Sequence, residues 1–453
     1  MFQKILIANR GEIAVRIIRT CKYMGIETVA IYSEADKESL HVQLADESVC
    51  VGGAKTVDSY LNMENIITAA INKGAEAIHP GFGFLSENGH FSQLCEECGI
   101  IFIGPKSNAI NKMGNKSKAR EMMINASVPV VPGSDGSVKN LDEAKRVALE
   151  IGFPILIKAS AGGGGRGMRI AYEIDEFKIA FETAKTEAKN AFGDDTMYLE
   201  KLMLRPKHIE FQMLADKYGN IVHLGERDCS IQRRNQKVVE EAPSQIKSDL
   251  RKRMGEAAIK ACKAVEYENA GTVEFLVSGN DFFFIEMNTR IQVEHPITEM
   301  ITGIDIVKEQ IKIAAGEKLS FTQKDIKFRG HSIECRLNAE DPKQNFRPNP
   351  GKISLLHVPS GNGVRFDSFI YNDYEIQPFY DSMLGKIIVH GENRMEAIKK
   401  MRATLEELVV EGIKTNQTFL YMIMNNNDYC KGNFDTSFVD KKIDYLLEYK
   451  DYE

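Results

Sequence analysis

The residues best suited to chemistry lie between Gly271 and Pro296, in GTVEFLVSGNDFFFIEMNTRIQVEHP. From Phe283 onward polar side chains take alternate positions, Glu286, Asn288, Arg290, Gln292 and Glu294, between Ile285, Met287, Thr289, Ile291 and Val293. In extended chain that spacing sets all five polar groups on one face. Following a run as apolar as FFFI, such a face reads as the wall of an active site. Upstream, GTVEFLV is β-rich and SGND is a turn cluster, so the two runs read as a hairpin. A three-residue loop pairing Ser278 with Phe282 places Glu274 directly opposite Glu286. Two such carboxylates in an apolar sheet repel, and one takes up a proton unless a cation lies between them. With the amide oxygen of Asn288 they form an all-oxygen set suited to Mg2+ or Mn2+, ions usually held by a few protein oxygens and substrate phosphates. A half-exposed edge hairpin with solvated charges fits the same pattern.

A second set surrounds a glycine-rich stretch, FPILIKASAGGGGRGM, from Phe153 to Met168. Gly162, Gly164 and Gly167 meet the G-x-G-x-x-G spacing, but β-like MRIAY follows where a dinucleotide site needs a helix, and no Gly-Lys-Ser/Thr closes a Walker loop. The stretch reads instead as the tip of a β-hairpin whose backbone N–H groups fold over phosphates, with the Lys158 ammonium on the entering strand. Glu200, Lys201 and Met203 then offer a charged and apolar mixture suited to a purine edge. Gln232, Arg233, Arg234 and Lys237 cluster ahead of two acids, either to hold an anion or as a solvated strand end. His79 and Glu87 flank the loop GFGFLSEN, at a strand end where open α/β sheets place ligands. They read equally as a rim histidine and a helix-start glutamate. Lys116 lies on a helix, where a lone lysine is usually solvated. Cys95 and Cys98 form a C-x-x-C with no second pair at zinc spacing, and read as packing thiols.

Rigid elements must hold these groups. KILIAN, the helix closed by Gly25 and IETVAIYS form a βαβ unit, which implies a parallel sheet with a right-handed crossover. The turn from Ala8 to Gly11 lacks G-x-G-x-x-G, so no dinucleotide site is expected there. The alternation continues through the helix LNMENIITAAINKG and the strand AEAIHP. A helix is expected over 141–151, and three strands between Met197 and Pro243. The C-terminal part is strand-rich through GKIIVHG and then helical in NRMEAIKKMRATLEELVVEG, whose Met and Leu positions have core spacing.

With 453 residues, the chain exceeds one core, and about 150 residues per domain gives roughly three domains. An apolar fraction of 43% with 27% charged residues is an ordinary globular composition and argues against disorder. The net charge of -6 gives no support for a nucleic-acid platform. No apolar run approaches the ~18 residues of a membrane span, and the N-terminus enters a strand directly, so neither a membrane segment nor a signal peptide is expected. Eight scattered cysteines fit reduced thiols, and a cytoplasmic location is expected.

Taken together, FPILIKASAGGGGRGM and FIEMNTRI resemble the two signatures of ATP-grasp enzymes. Joined with ANRGEIA, HPGFGFLSEN, ERDCSIQRRNQKVVEEAP, NTRIQVEHPITEMITG and ECRLNAEDP, they resemble biotin carboxylase from Phe2 to about residue 440. The resemblance implies a multi-domain α/β fold: a Rossmann-like N-terminal domain over 1–112, an ATP-grasp domain over 113–327 with a mobile glycine-rich lid at about 131–203, and a C-terminal mixed α/β domain with a barrel-like sheet over 328–446. It implies that Lys116, Lys158, Gly164, Gly165, Glu200, Lys201, Met203, His208, Gln232 and Asn235 hold ATP, with Glu274 and Glu286. Glu274, Glu286 and Asn288 would hold two Mg2+ or Mn2+ ions. Lys237, Arg290, Gln292 and Val293 would hold bicarbonate, Glu294 would remove its proton, and Arg336 would face the biotin ureido oxygen. Two positions depart from the family: Asn235 stands where His is common near the ribose, and Phe82 replaces a usual Tyr near biotin. No Met-Lys-Met attachment signature occurs, so biotin is expected on a separate carboxyl carrier protein. A homodimer working with carboxyltransferase subunits, acetyl-CoA carboxylase first among them, is expected; a pyruvate or propionyl-CoA carboxylase assembly is the alternative. Another ATP-grasp ligase, or a nucleotide-binding regulator with a dead site, is argued against by ECRLNAEDP and by intact Glu274, Glu286, Asn288, Arg290 and Glu294.

Overall fold

The computed structural model describes residues 1–138, 140–160 and 167–448. Strands β1 (Lys4–Ile7), β2 (Glu27–Ser33), β3 (Glu47–Gly52), β4 (Ala77–His79) and β5 (Ile101–Phe102) form a parallel sheet in the order β3-β2-β1-β4-β5. The order reverses between β1 and β4, the switch point at which such sheets open a crevice. There the Asn9 amide donates to the carbonyls of Pro80 (2.7 Å) and Phe82 (2.8 Å), tying the loop after β1 to the loop after β4. Gly81 lies between them at φ +64°, and a Cβ there would meet the Asn9 amide nitrogen at 2.9 Å. This fixes the start of the segment that carries Glu87.

A small antiparallel sheet, β7-β6-β8, joins β6 (Ile155–Ala159), β7 (Met168–Ala171) and β8 (Met197–Lys201). Helices Leu141–Ile151 and Ile174–Phe192 cover it and close a core of its own around Phe177 and Phe181. The pairing of Lys158 with Met168 makes β6 and β7 the hairpin read from the sequence. Gly164 and Gly165 of its tip lie outside the described residues.

The sequence between Met197 and Pro243 holds four strands where three were expected: β8, β9 (Lys207–Ala215), β10 (Ile221–Arg233) and β11 (Gln236–Ala242). Arg234 and Asn235, both at positive φ (49° and 63°), turn β10 back into β11. A two-residue turn of that kind suits the right-handed twist of a hairpin. With β12 (Asn269–Ser278), β13 (Asp281–Asn288), β14 (His331–Asn338) and the strands Met383–Gly391 and Val364–Ser368, β9, β10 and β11 build one eight-stranded sheet. From one edge the order is β13-β12-β9-β10-β11-β14, then 383–391 and 364–368. The C-terminal strands thus extend the sheet that carries the central hairpin. Helix Arg394–Glu407 packs on its C-terminal end, where Met401 and Leu405 lie in the core as their spacing implied. Among the described residues no helix is long and apolar enough to cross a membrane. All eight cysteines are free, and burial pushes the Cys95 thiol up to about 12, which makes it unreactive packing.

Candidate active site

The hairpin of β12 and β13 reaches the expected alignment by a different route. Ser278 pairs with Asp281, not Phe282, so the loop is the two residues Gly279 and Asn280, with Gly279 at φ +63°. A bulge at Ile285 then adds one residue to β13, and Glu274 faces Glu286 after all. The strand ends at Asn288, and Thr289 to Val293 form a loop running into helix His295–Thr302. Arg290, Gln292 and Glu294 therefore do not continue one extended face. Arg290 turns back to Asn288 on β13 and Gln292 to Glu274 on β12, while Glu294 reaches Lys237 on β11 and Arg336 on β14.

Register extends the row of acids beyond the hairpin. Glu286 faces Glu274, Glu274 faces Glu210 on β9, and Glu210 faces Arg227 on β10. Like charges in direct opposition destabilise a sheet, and Glu210, Glu274 and Arg227 are all buried. Their compensation is specific. The Arg227 guanidinium donates to Glu210 Oε1 (2.6 Å), Gln212 (2.7 Å) and Gln292 (2.8 Å). Lys237 Nζ, from β11, meets three carboxylates: Glu210 at 2.5 Å, Glu274 at 3.0 Å and Glu294 at 2.7 Å. Despite the cost of burial, Lys237 holds Glu274 and Glu294 well below the usual carboxylate range, while burial dominates at Glu210 and raises it.

Glu294 is clamped from both sides, with Oε1 on Lys237 and Oε2 accepting from Arg336 Nη2 at 2.8 Å. Arg336 lies on β14 and also donates through Nε to Glu240 on β11 at 2.6 Å. Around Glu274, Gln292 Nε2 (2.7 Å) and Asn288 Nδ2 (2.8 Å) donate to Oε1, and His208 Nε2 stands 2.9 Å from Oε2. The Gln232 amide donates to the Cys229 carbonyl and to His208 Nδ1, both at 2.8 Å, which leaves the His208 proton on Nε2, toward Glu274. Arg290 donates to Asn288 Oδ1 (3.0 Å) and to Glu87 (2.8 Å), and Glu87 also accepts from the Thr289 N–H (3.0 Å). Glu87 thus joins the N-terminal domain to the site, whereas His79 is buried packing that burial lowers to about 3.

Other expected residues sit farther out. Lys158 Nζ pairs with Glu200 at 2.5 Å, and Lys116 Nζ lies 3.4 Å from Glu286. Lys201 spends its ammonium on the carbonyls of Gly152 (2.8 Å) and Phe153 (2.6 Å). Met203 is half-buried beyond the end of β8. Arg233 and Arg234 turn away from Lys237 and donate to Asn345, at 3.0 and 3.1 Å, so the four-residue cluster expected there splits. Asn235 is exposed at its turn, and its residue type follows from the left-handed backbone that Asn tolerates. Phe82 packs against the apolar layer that includes Ile13 and Ile291. The Val293 carbonyl accepts from buried Lys386 at 2.8 Å. Glu210 and Arg227 were missed, although the alternation of His208, Glu210 and Gln212 between Ile209, Phe211 and Met213 carries the same signal as β13.

The donor set suits a divalent cation. The carboxylates of Glu274 and Glu286 sit across one register step, the Asn288 amide is within reach of Glu274, and the groups beside the two acids are the ammoniums of Lys116 and Lys237 and the imidazole of His208. The closest carboxylate-rich sets among the described residues, His208 with Glu210 and Glu274, and Glu210 with Cys229 and Glu294, fall on the same row of the sheet or beside it.

Residues 1–110 match the biotin carboxylase N-terminal domain, 115–322 the carbamoyl-phosphate synthase L chain ATP-binding domain, and 334–441 the biotin carboxylase C-terminal domain. A biotin carboxylase of Nostoc sp. is 56% identical over 97% of the chain and 98% of its own length. One pyruvate carboxylase subunit, from Methanothermobacter thermautotrophicus, is likewise 56% identical, over 97% of the chain and 90% of its own length. Among solved structures, the biotin carboxylase domain dimer of Hydrogenobacter thermophilus 2-oxoglutarate carboxylase, in complex with MgADP, ADP and bicarbonate, superposes with a TM-score of 0.95 at 52% identity, covering 100% of both chains.

Proposed function

The chain belongs to the biotin carboxylase family, and from that premise we propose how its own residues carry out ATP-dependent carboxylation of biotin. The observation that carries the reading is Glu294 held between Lys237 at 2.7 Å and Arg336 at 2.8 Å, beside Arg290 and Gln292. Glu274, Glu286 and Asn288 supply the oxygens for two Mg2+ or Mn2+ ions, which when bound neutralise and align the ATP phosphates. Lys116, Lys158, Gly164, Gly165, Glu200, Lys201, Met203, His208, Gln232 and Asn235 form the nucleotide side. The MgADP and bicarbonate of the Hydrogenobacter relative agree with this ligand set.

Bicarbonate takes the place of the internal anion partners: Lys237, Arg290, Gln292 and the backbone of Val293 hold it. Its arrival draws Lys237 partly away from Glu294. A carboxylate relieved of one cation gains proton affinity, and this turns a group held ionised at rest into the general base. The bicarbonate oxygen then attacks the γ-phosphate to give carboxyphosphate, whose breakdown releases CO2 and phosphate beside biotin. The phosphate takes the ureido N1′ proton, and Arg336 faces the ureido oxygen and stabilises the enolate-like anion that attacks CO2. Phe82 supplies a ring without a hydroxyl at the biotin side.

The biotin arrives on a separate carboxyl carrier protein, and the chain works as a dimer with carboxyltransferase subunits in the cytoplasm. The first acceptor reading is acetyl-CoA, giving malonyl-CoA for fatty-acid synthesis. Pyruvate is the second, favoured by the 56% identity to a pyruvate carboxylase subunit. Glu294→Gln tests the base: it should lower carboxybiotin formation about 10²–10⁴-fold at saturating ATP with the fold intact, and retained turnover would remove Glu294 from the role.

A further inference from the structure

The mechanism above leaves a group of buried acids behind Arg336 unused. Glu240 on β11 and Glu334 on β14 are register partners, both fully buried. Glu334 and Arg336 share one face of β14, and Arg336 is the register partner of Lys386. Glu240 gives Oε1 to Arg336 Nε at 2.6 Å and to Nη2 at 2.5 Å. Its Oε2, and both oxygens of Glu334, have no hydrogen-bond partner among the described residues. Lys386, the nearest other cation, is engaged by the Val293 carbonyl at 2.8 Å and by Glu12 of the N-terminal helix at 3.1 Å.

The charges facing this pocket are therefore Glu294 from the helix start, Glu12 from helix Gly11–Tyr23, Arg336 and Lys386 from the sheet, and Lys237 beyond Glu294. Four glutamates, Glu12, Glu240, Glu294 and Glu334, surround Arg336 and Lys386 in a water-poor space. Four buried carboxylates sharing so few cations do not all stay ionised. Glu334, opposite Glu240 and without a donor, is the one whose neutral form leaves the Arg336 pairs intact.

We propose that Glu240 is a positioning residue for the carboxyl transfer to biotin: ionised, it grips the inner edge of Arg336, while Glu334 opposite it keeps its proton so that the strand pair carries a single negative charge. Burial raises both acids, Glu334 well above the carboxylate range and Glu240 only to about 7, so above that pH Glu240 is the ionised member of the pair. With Nε and Nη2 fixed from behind, the guanidinium keeps its orientation when Glu294 takes up the bicarbonate proton and its own hold on Nη2 weakens. This rests on the Arg336 role proposed above.

The test compares two reactions of the full chain: bicarbonate-dependent ATP cleavage without biotin, and carboxybiotin formation with free biotin, each as kcat and KM from pH 8 to 9, where Glu240 is ionised. Glu240→Gln should lower kcat for carboxybiotin by about tenfold or more, the scale of a misplaced catalytic group, and keep biotin-independent ATP cleavage within about twofold. Glu334→Gln, a neutral mimic, should leave both within about twofold. If Glu240→Gln does not fold, Glu240→Asp, which withdraws the charge by one methylene, must show the same split. Equal loss of both reactions, wild-type carboxylation by Glu240→Gln, or a Glu334→Gln variant as impaired as Glu240→Gln would overturn the proposal. A wild-type chain that cleaves ATP with bicarbonate yet never carboxylates biotin would instead overturn the Arg336 reading beneath it.

Discussion

Lys237 is the residue on which the ionisation of the site turns, because Glu210, Glu274 and Glu294 all converge on one ammonium within 3.0 Å. Removing one partner of a buried ion pair costs about 3–5 kcal/mol, since the remaining charge is left without compensation. Lys237→Gln should therefore lose about that much stability at pH 7.5, and urea unfolding should show the deficit shrinking toward pH 5.5 as the stranded carboxylates bind protons. An equal deficit at both pH values would mean that the three acids do not depend on this lysine. In the sequence, the acid and amide types of Glu274, Glu286 and Asn288 point to a cation, and the family resemblance alone implies Glu294 as a base. The convergence is not legible there. Arg227 and Glu210 are made partners by the register of β9 and β10, which no local pattern states, and Arg233 and Arg234 leave the cluster because a turn rotates them toward Asn345.

Elements decide which of those side chains meet. In β13 the alternation implied a longer loop and a longer strand than exist. A glycine at φ +63° tightens the turn to two residues, and the bulge at Ile285 restores the facing of Glu274 and Glu286. Alternation could locate the acids on one face but could not distinguish a longer loop from a shorter loop plus a bulge. The β10–β11 hairpin went unrecognised because QRRNQK lacks glycine, yet Arg234 and Asn235 both take left-handed backbone there. Left-handed conformation costs a β-branched residue about 1–2 kcal/mol. Asn235→Val should accordingly destabilise the chain by about that amount and Asn235→Gly by little, read as urea midpoints. Val and Gly variants of equal stability would show that the turn does not constrain this residue.

At the scale of the whole molecule, the parallel sheet was readable from its βαβ rhythm, whereas the extension of the hairpin's sheet by C-terminal strands was not, because sheet neighbours distant in sequence leave no periodic trace. That shared sheet brings Arg336 to Glu294 and buries many titratable groups, so stability responds to pH. Burial lowers His41 and His223 to about 4 and His79 to about 3, from 6.5, and pushes His295 well below that value. As the pH falls below 6.5 the unfolded chain binds protons that these four refuse, and they draw stability down. Burial raises Glu12 and Glu240 from 4.5 to about 7 and pushes Glu226 and Glu334 up as well, so down to pH 4.5 the folded chain binds their protons first, which opposes the histidines. Below pH 4.5 that opposition ends, and Asp367, which Arg365 holds at about 2 against the cost of burial, adds to the loss. The urea midpoint should change little from pH 6.5 to 4.5 and fall steeply below; a steady fall from pH 7 would contradict this balance. The central claim, that one site activates bicarbonate with ATP and passes the carboxyl group to biotin, is tested most directly by phosphate release from MgATP with labelled bicarbonate, with and without free biotin, coupled to trapping of carboxybiotin. The account predicts biotin-stimulated phosphate release with label captured on biotin, and bicarbonate-dependent release with no captured label would contradict it.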